Sequence, residues 1–76
     1  MPPMSTTFPA AEPGPALADL RTSVGISQDA LAKRLGVSRQ TVISWEQRAT
    51  VPALKAHRYR RALREMVDEA TREPVA

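Results

Sequence analysis

The sequence predicts an all-α fold, a small bundle of about four helices preceded by a disordered N-terminal arm. Three observations predict it. Apolar residues recur at helical spacing in short runs, no β-type alternation of useful length occurs, and Gly25, Gly36 and Pro52 punctuate the runs where helices end or begin. At 76 residues the chain holds one small domain at most, in the size range where a single core is marginal.

Residues 1–14 are expected to form the arm. Pro2, Pro3, Pro9, Pro13 and the neighbouring Pro15 crowd this region, and it offers little to bury. Its only charged residue is Glu12, so it lacks the basic character that suits an arm for a DNA groove. The folded domain is expected over 15–71. Its first helix starts near Pro15, where a fixed φ suits the first turn. Leu17, Leu20 and Val24 form its apolar stripe, and Gly25 ends it.

Ser27 is expected to cap the second helix, with Gln28 and Asp29 in a first turn that favours acceptors and negative charge. Ala30, Leu31 and Leu35 give its buried face, and small Ala30 and Ala32 let another helix come close. Gly36 ends it, and Val37 plugs the corner. Ser38 caps a third helix from Arg39 to about Arg48, in which Val42 and Trp45 point inward. A fourth helix, about 53–71, follows Pro52 and keeps the stripe Tyr59, Ala62, Leu63, Met66, Val67, Ala70. Residues 72–76 are expected to fray.

Composition removes several function classes. Cysteine is absent and His57 is the sole histidine, so no disulfide, thiolate metal site or His-based triad is expected. No phosphate-cradling glycine loop or pair of catalytic carboxylates is visible. The protein is therefore expected to be no enzyme and to take no cofactor, metal or small-molecule ligand. No apolar run is long enough for a membrane span, and "MPPMSTTFPA" lacks the basic and apolar regions of a secretory signal. The expected location is the cytoplasm.

The net charge is +3, unevenly spread. From Lys33 to Arg64 nine Lys and Arg stand against the single acid Glu46, which favours a polyanionic partner. Of Arg58, Arg60, Arg61 and Arg64, some are expected on phosphates and the others solvated or paired with acids such as Glu65 and Asp68. For Glu46 a local, helix-bracing ion pair is expected.

The second and third helices are too short to stand alone in water, because helix nucleation is costly. They persist only by packing on each other and on their neighbours. A helix, a tight Gly-containing turn and a second helix at a steep angle form a helix-turn-helix, here about 27–47. That geometry presents the second helix as a ridge, and the B-DNA major groove admits such a helix. Arg39 and Gln40 sit at its N-terminal end, the end that meets base edges. Arg pairs bidentately with guanine and Gln with adenine.

The stretch "LRTSVGISQDALAKRLGVSRQTVISWE" resembles the Cro/C1/Xre helix-turn-helix family of bacterial and phage regulators. Gln28, Ala32, Leu35, Gly36, Val37, Ser38, Thr41, Val42, Trp45 and Glu46 carry the likeness, which covers about residues 16–54. It implies a lambda-repressor-like bundle. It also implies base-reading positions at Ser38, Arg39, Gln40 and Ser44. Ile43 either presses on a thymine methyl or is partly buried. Gln28 falls where the family grips a phosphate and braces the third helix, and Gln47 and Arg48 fall where it contacts the DNA backbone. Thr41 and Lys33 complete the candidate backbone contacts. The chain departs from the family in two places. "EQRAT" has no glycine after the third helix, and one long helix replaces the two that usually follow.

The function expected from these residues is sequence-specific binding of double-stranded DNA by a transcriptional regulator. It would act as a homodimeric repressor or autoregulator on a near-palindromic operator. The alternative is an antitoxin or a phage or plasmid adaptor, whose Pro-rich arm and acidic C-terminal end bind a protein partner.

Overall fold

The computed structural model describes residues 10–72. Within them lie four helices, α1 (Gly14–Ser23), α2 (Gln28–Leu35), α3 (Arg39–Gln47) and α4 (Ala53–Thr71). Among the described residues there is no strand, only one antiparallel bridge between Glu12 and Val51. The all-α bundle is as the periodicity predicts.

The two corners are built by local chemistry. Ser27 accepts the Ala30 N–H at 3.0 Å, and Ser38 accepts the Thr41 N–H at 3.1 Å, so each short helix begins on a hydroxyl cap. Gly36 closes α2 at φ 74°, in the left-handed region that a side chain strains. Val37 then donates its N–H back to the Ala32 carbonyl at 3.0 Å, which closes the corner just before the Ser38 cap of α3. Gly25 ends α1 in the same way.

Leu17, Leu31, Val42, Val51, Ala56 and Tyr59 are fully buried and make the centre of one core. Ala32, Trp45, Ala62 and Leu63 complete it, and Leu20, Ile26, Leu35, Val37 and Met66 close its edge. α2 packs on α3 and α4, and α1 packs on α3 and α4, so α3 is held from the sides by two helices. The Val24 end of the expected α1 stripe is corrected. Val24 follows the last helical turn and is 41% exposed, because the chain turns away there toward Gly25.

The expected boundary of the arm also shifts. Residues 1–9 lie outside the described residues, as do 73–76 of the expected frayed tail. Glu12 and Gly14, however, belong to the folded body. Glu12 exchanges backbone hydrogen bonds with Val51, donating to its carbonyl at 3.1 Å and accepting its N–H at 2.6 Å. Its carboxylate takes Nε and Nη2 of Arg60 at 2.5 and 2.6 Å, and this guanidinium holds the carboxyl below its ordinary pKa. Gly14 is the first residue of α1. It donates its N–H to the Arg48 carbonyl at 2.9 Å, capping the end of α3 from outside.

Candidate nucleic-acid interface

α3 is the helix with two faces of opposite character. Val42, Trp45 and Glu46 are buried on one side. Arg39, Gln40, Ser44 and Gln47 are exposed on the other. The periodicity of the sequence imposes this division, and the packing of α1 and α2 enforces it.

The Glu46 carboxylate fixes how α3 sits. Its side chain is only 6% exposed and meets three donors from three other helices. Arg21 of α1 donates from Nε at 2.6 Å and Nη2 at 3.1 Å. Gln28 of α2 donates its amide at 2.9 Å, and the Tyr59 hydroxyl of α4 donates to the same carboxylate. Arg21 also donates Nη1 to the Ile26 carbonyl at 2.9 Å, tying the first corner into the cluster. Burial pushes the Glu46 carboxyl pKa up. The hydrogen bonds from Arg21, Tyr59 and Gln28 outweigh burial and hold the carboxyl below its ordinary value. Burial and the neighbouring carboxylate push the Tyr59 hydroxyl upward, so it remains a neutral donor.

This corrects the expectation of a local ion pair at Glu46. Its cation, Arg21, stands 25 positions away on another helix. Nothing local in the sequence marks the two as partners, because only the crossing of α1 over α3 brings them together. The bracing expected of Gln28 is present, and its amide faces Glu46.

The remaining candidates are spread along α3 and its ends. Ser38 and Thr41 have their hydroxyls 3.0 Å apart, so Ser38 serves first as the helix cap. Arg39 is 60% exposed, with Nε 3.8 Å from Asp29 Oδ1, a loose contact that orients the guanidinium without burying it. Gln40 and Ser44 are exposed, and Ile43 is half-buried beside them. Gln47 and Arg48 are exposed at the C-terminal end of α3, and Lys33 is exposed on α2. Trp45 belongs to the core at 6% exposure, with Lys55 Nζ 5.8 Å from its ring centroid.

The basic residues divide into paired and unpaired sets. Arg60 is held by Glu12, Arg61 by Glu65 and Arg34 by Glu69. Lys33, Arg48, Arg58 and Arg64 have no carboxylate partner among the described residues. Lys33 and Arg48 lie on α2 and at the α3 end, so uncompensated positive charge remains beside the exposed face of α3.

A fold with two capped short helices joined at a glycine corner, the second turned outward and flanked by free cations, defines a helix-turn-helix protein. Comparison with known proteins agrees. The helix-turn-helix family pattern matches residues 17–56, from within α1 into α4. An HTH-type transcriptional regulator of Methanothermobacter thermautotrophicus (strain Delta H), uncharacterized by its own name, is 45% identical over 51 residues. That alignment covers 64% of this chain and 74% of the relative. No solved structure gives a significant match. The chain belongs to the Cro/C1-type helix-turn-helix family, a DNA-binding class of transcription regulation.

Proposed function

We propose that this protein is a cytoplasmic, sequence-specific regulator of transcription that binds double-stranded DNA through α3. The observation that carries this reading is the outward set Arg39, Gln40 and Ser44 on a helix whose opposite face is locked by Val42, Trp45 and Glu46. A helix so fixed presents its polar side chains as a rigid unit, as reading base edges in the major groove requires. Arg39 pairs with guanine and Gln40 with adenine, and Ser44 and the exposed part of Ile43 extend the contact. Gln28, Lys33, Thr41, Gln47 and Arg48 hold the phosphates on either side.

The regulator acts by occlusion, as a repressor or autoregulator. Two copies sit on a near-palindromic operator that overlaps a promoter, with half-sites about one helical turn apart. The relative's name as a transcriptional regulator supports a role at promoters. Selection of binding sites from random duplex DNA near physiological salt tests the proposal. An enriched sequence with two-fold symmetry is expected. Recovery of no enriched sequence would remove base reading, and enrichment of a lone half-site would remove the symmetric dimer.

A further inference from the structure

Between Asp19 and Glu65 the chain holds two acids, Asp29 and Glu46. Glu46 is buried and engaged with Arg21, Gln28 and Tyr59. Asp29 is therefore the one exposed acid of the helix-turn-helix, in the first turn of α2 with its side chain 71% exposed. Its charge opposes a polyanionic partner. Across the corner between α2 and α3 that charge faces Arg39, with Oδ1 3.8 Å from Nε.

Stability does not account for this pair. Both side chains are mostly exposed, and ion pairs in water contribute little. The chemistry of the guanidinium accounts for it better. Arg has a side-on edge that includes Nε and an end-on edge of Nη1 and Nη2, and either can bind two acceptors at once. Asp29 stands at Nε, on the side-on edge. The end-on edge is left for guanine O6 and N7. Charge makes a second selection. A long, unrestrained Arg can settle on phosphate, a contact that carries no sequence information. A phosphate oxygen approaching the Nε side meets the like charge of Asp29, whereas the guanine edge is neutral.

We infer that Asp29 is a positioning residue for base reading: its carboxylate holds the side-on edge of Arg39 and turns the end-on edge toward guanine. Water leaves the interface when DNA binds, the local dielectric falls, and the attraction between Asp29 and Arg39 strengthens. The two side chains then act as one reading unit. Asp29 thus raises the ratio of matched to mismatched binding while it lowers the affinity for every duplex. This deepens the regulator proposed above and rests on its assignment of Arg39 to a base. Two other roles are open to an acid at this place. It could only complement the dipole of α2, which would affect the helix and not the choice of base. It could also accept from cytosine N4 itself, independently of Arg39.

Fluorescence anisotropy of the full chain at fixed, near-physiological salt tests the role. The probes are the duplex recovered by site selection and its three variants at the base pair that Arg39→Ala ceases to discriminate. Wild type, Asp29→Asn, Arg39→Ala and the double variant form a cycle. A bidentate Arg–guanine contact discriminates by about tenfold or more. Asp29→Asn is expected to lower that ratio by about threefold or more and to raise affinity for the mismatched duplexes. In the Arg39→Ala background the same change is expected to raise all affinities alike and to leave the ratio where it is. Discrimination at the other base pairs and the thermal midpoint should stay near wild type, because Asp29 is exposed. An unchanged ratio for Asp29→Asn would overturn the role. So would an equal fall with and without Arg39, which would make Asp29 a reader of its own base. A lowered thermal midpoint with a uniform loss of affinity would reduce it to support of α2. Failure of the underlying reading looks different. Arg39→Ala would then leave every base preference intact, and the role of Asp29 would fall with it.

Discussion

The Glu46 carboxylate receives both Nε and Nη2 of Arg21, at 2.6 and 3.1 Å, across the crossing of α1 over α3. The planar guanidinium fixes direction as well as distance, so the pair sets how α3 is rotated about its own axis. Gln28 and Tyr59 fill the remaining acceptor sites of the carboxylate, and among the described residues no buried side-chain polar atom is left without a partner. One carboxylate thus ties α3 to all three other helices.

Removing either member should be costly. Arg21→Ala leaves a buried carboxylate with two neutral donors, and Glu46→Ala leaves a guanidinium facing a phenol and an amide. Each is expected to lower stability by about 3 kcal/mol, as for other buried pairs that lose one partner. Replacing both, as Arg21→Met with Glu46→Leu, should cost clearly less than the sum of the single changes. Urea denaturation of the four proteins closes the cycle, and strict additivity would show that the two side chains do not act as a unit.

The same cluster makes stability depend on pH at both ends. Glu46 has a folded pKa below its ordinary 4.5, so its contribution is complete well above 4.5. It is lost as pH falls from about 4.5 through the lowered folded value. Glu12, lowered by Arg60, works in the same direction. Tyr59 is raised above 10.0, so its contribution is intact below pH 10.0 and declines as pH rises beyond it. Thermal midpoints measured across pH should form a plateau with an acid edge, and Glu46→Gln should flatten that edge. An acid edge of full height in that variant would place the responsible carboxylate elsewhere.

Base reading and phosphate contact should separate by residue. Arg39→Ala and Gln40→Ala each remove one candidate bidentate contact and should relax discrimination at one base position by about 1–3 kcal/mol. Arg48→Ala should weaken every duplex alike and lower the slope of log affinity against log salt by about one. Fluorescence anisotropy with selected and mismatched half-sites measures both. An equal loss on all sequences for Arg39→Ala would move Arg39 to the backbone set.

These contacts divide along the line between what local sequence can specify and what it cannot. Ser27, Ser38 and Gly36 were legible because a cap or a left-handed turn is decided within about four residues. The outward face of α3 was legible because its periodicity is carried by one short run. Arg21, Val51 and Glu12 were not. Arg21 meets Glu46 from 25 positions away. Val51 lies in a segment that reads as a polar connector, and it is fully buried because the Glu12 backbone closes over it. The arm itself reads as proline-rich and unpaired until Arg60, 48 positions on, is brought beside its one acid.

Gly14 gives the sharpest test of that long-range packing. In a helix, Ala is ordinarily favoured over Gly by about 0.5–1 kcal/mol, because Gly loses more backbone freedom on folding. Gly14 is helical and has no positive φ, so helix propensity alone predicts that Gly14→Ala stabilises. The packing predicts the opposite. A methyl group there would lie 2.6 Å from the Arg48 carbonyl oxygen and 2.7 Å from that of Glu46, with the Trp45 carbonyl also in collision. All three are backbone atoms at the end of α3, so no side chain can swing aside. Relief requires α1 to lift from α3, which stretches the Gly14-to-Arg48 hydrogen bond and the Arg21–Glu46 pair together. Gly14→Ala should therefore destabilise by about 1–3 kcal/mol, the usual range for overpacking. Gly36→Ala differs in cause, since a methyl there meets nothing within 4 Å and only the left-handed backbone, worth about 1–2 kcal/mol, opposes it. Chemical denaturation of the two variants measures both losses, and amide exchange at Arg48 and its neighbours separates them. Faster exchange at the α3 end is expected for Gly14→Ala alone, and a stabilised Gly14→Ala would mean that α1 does not bear on α3 as closely as described.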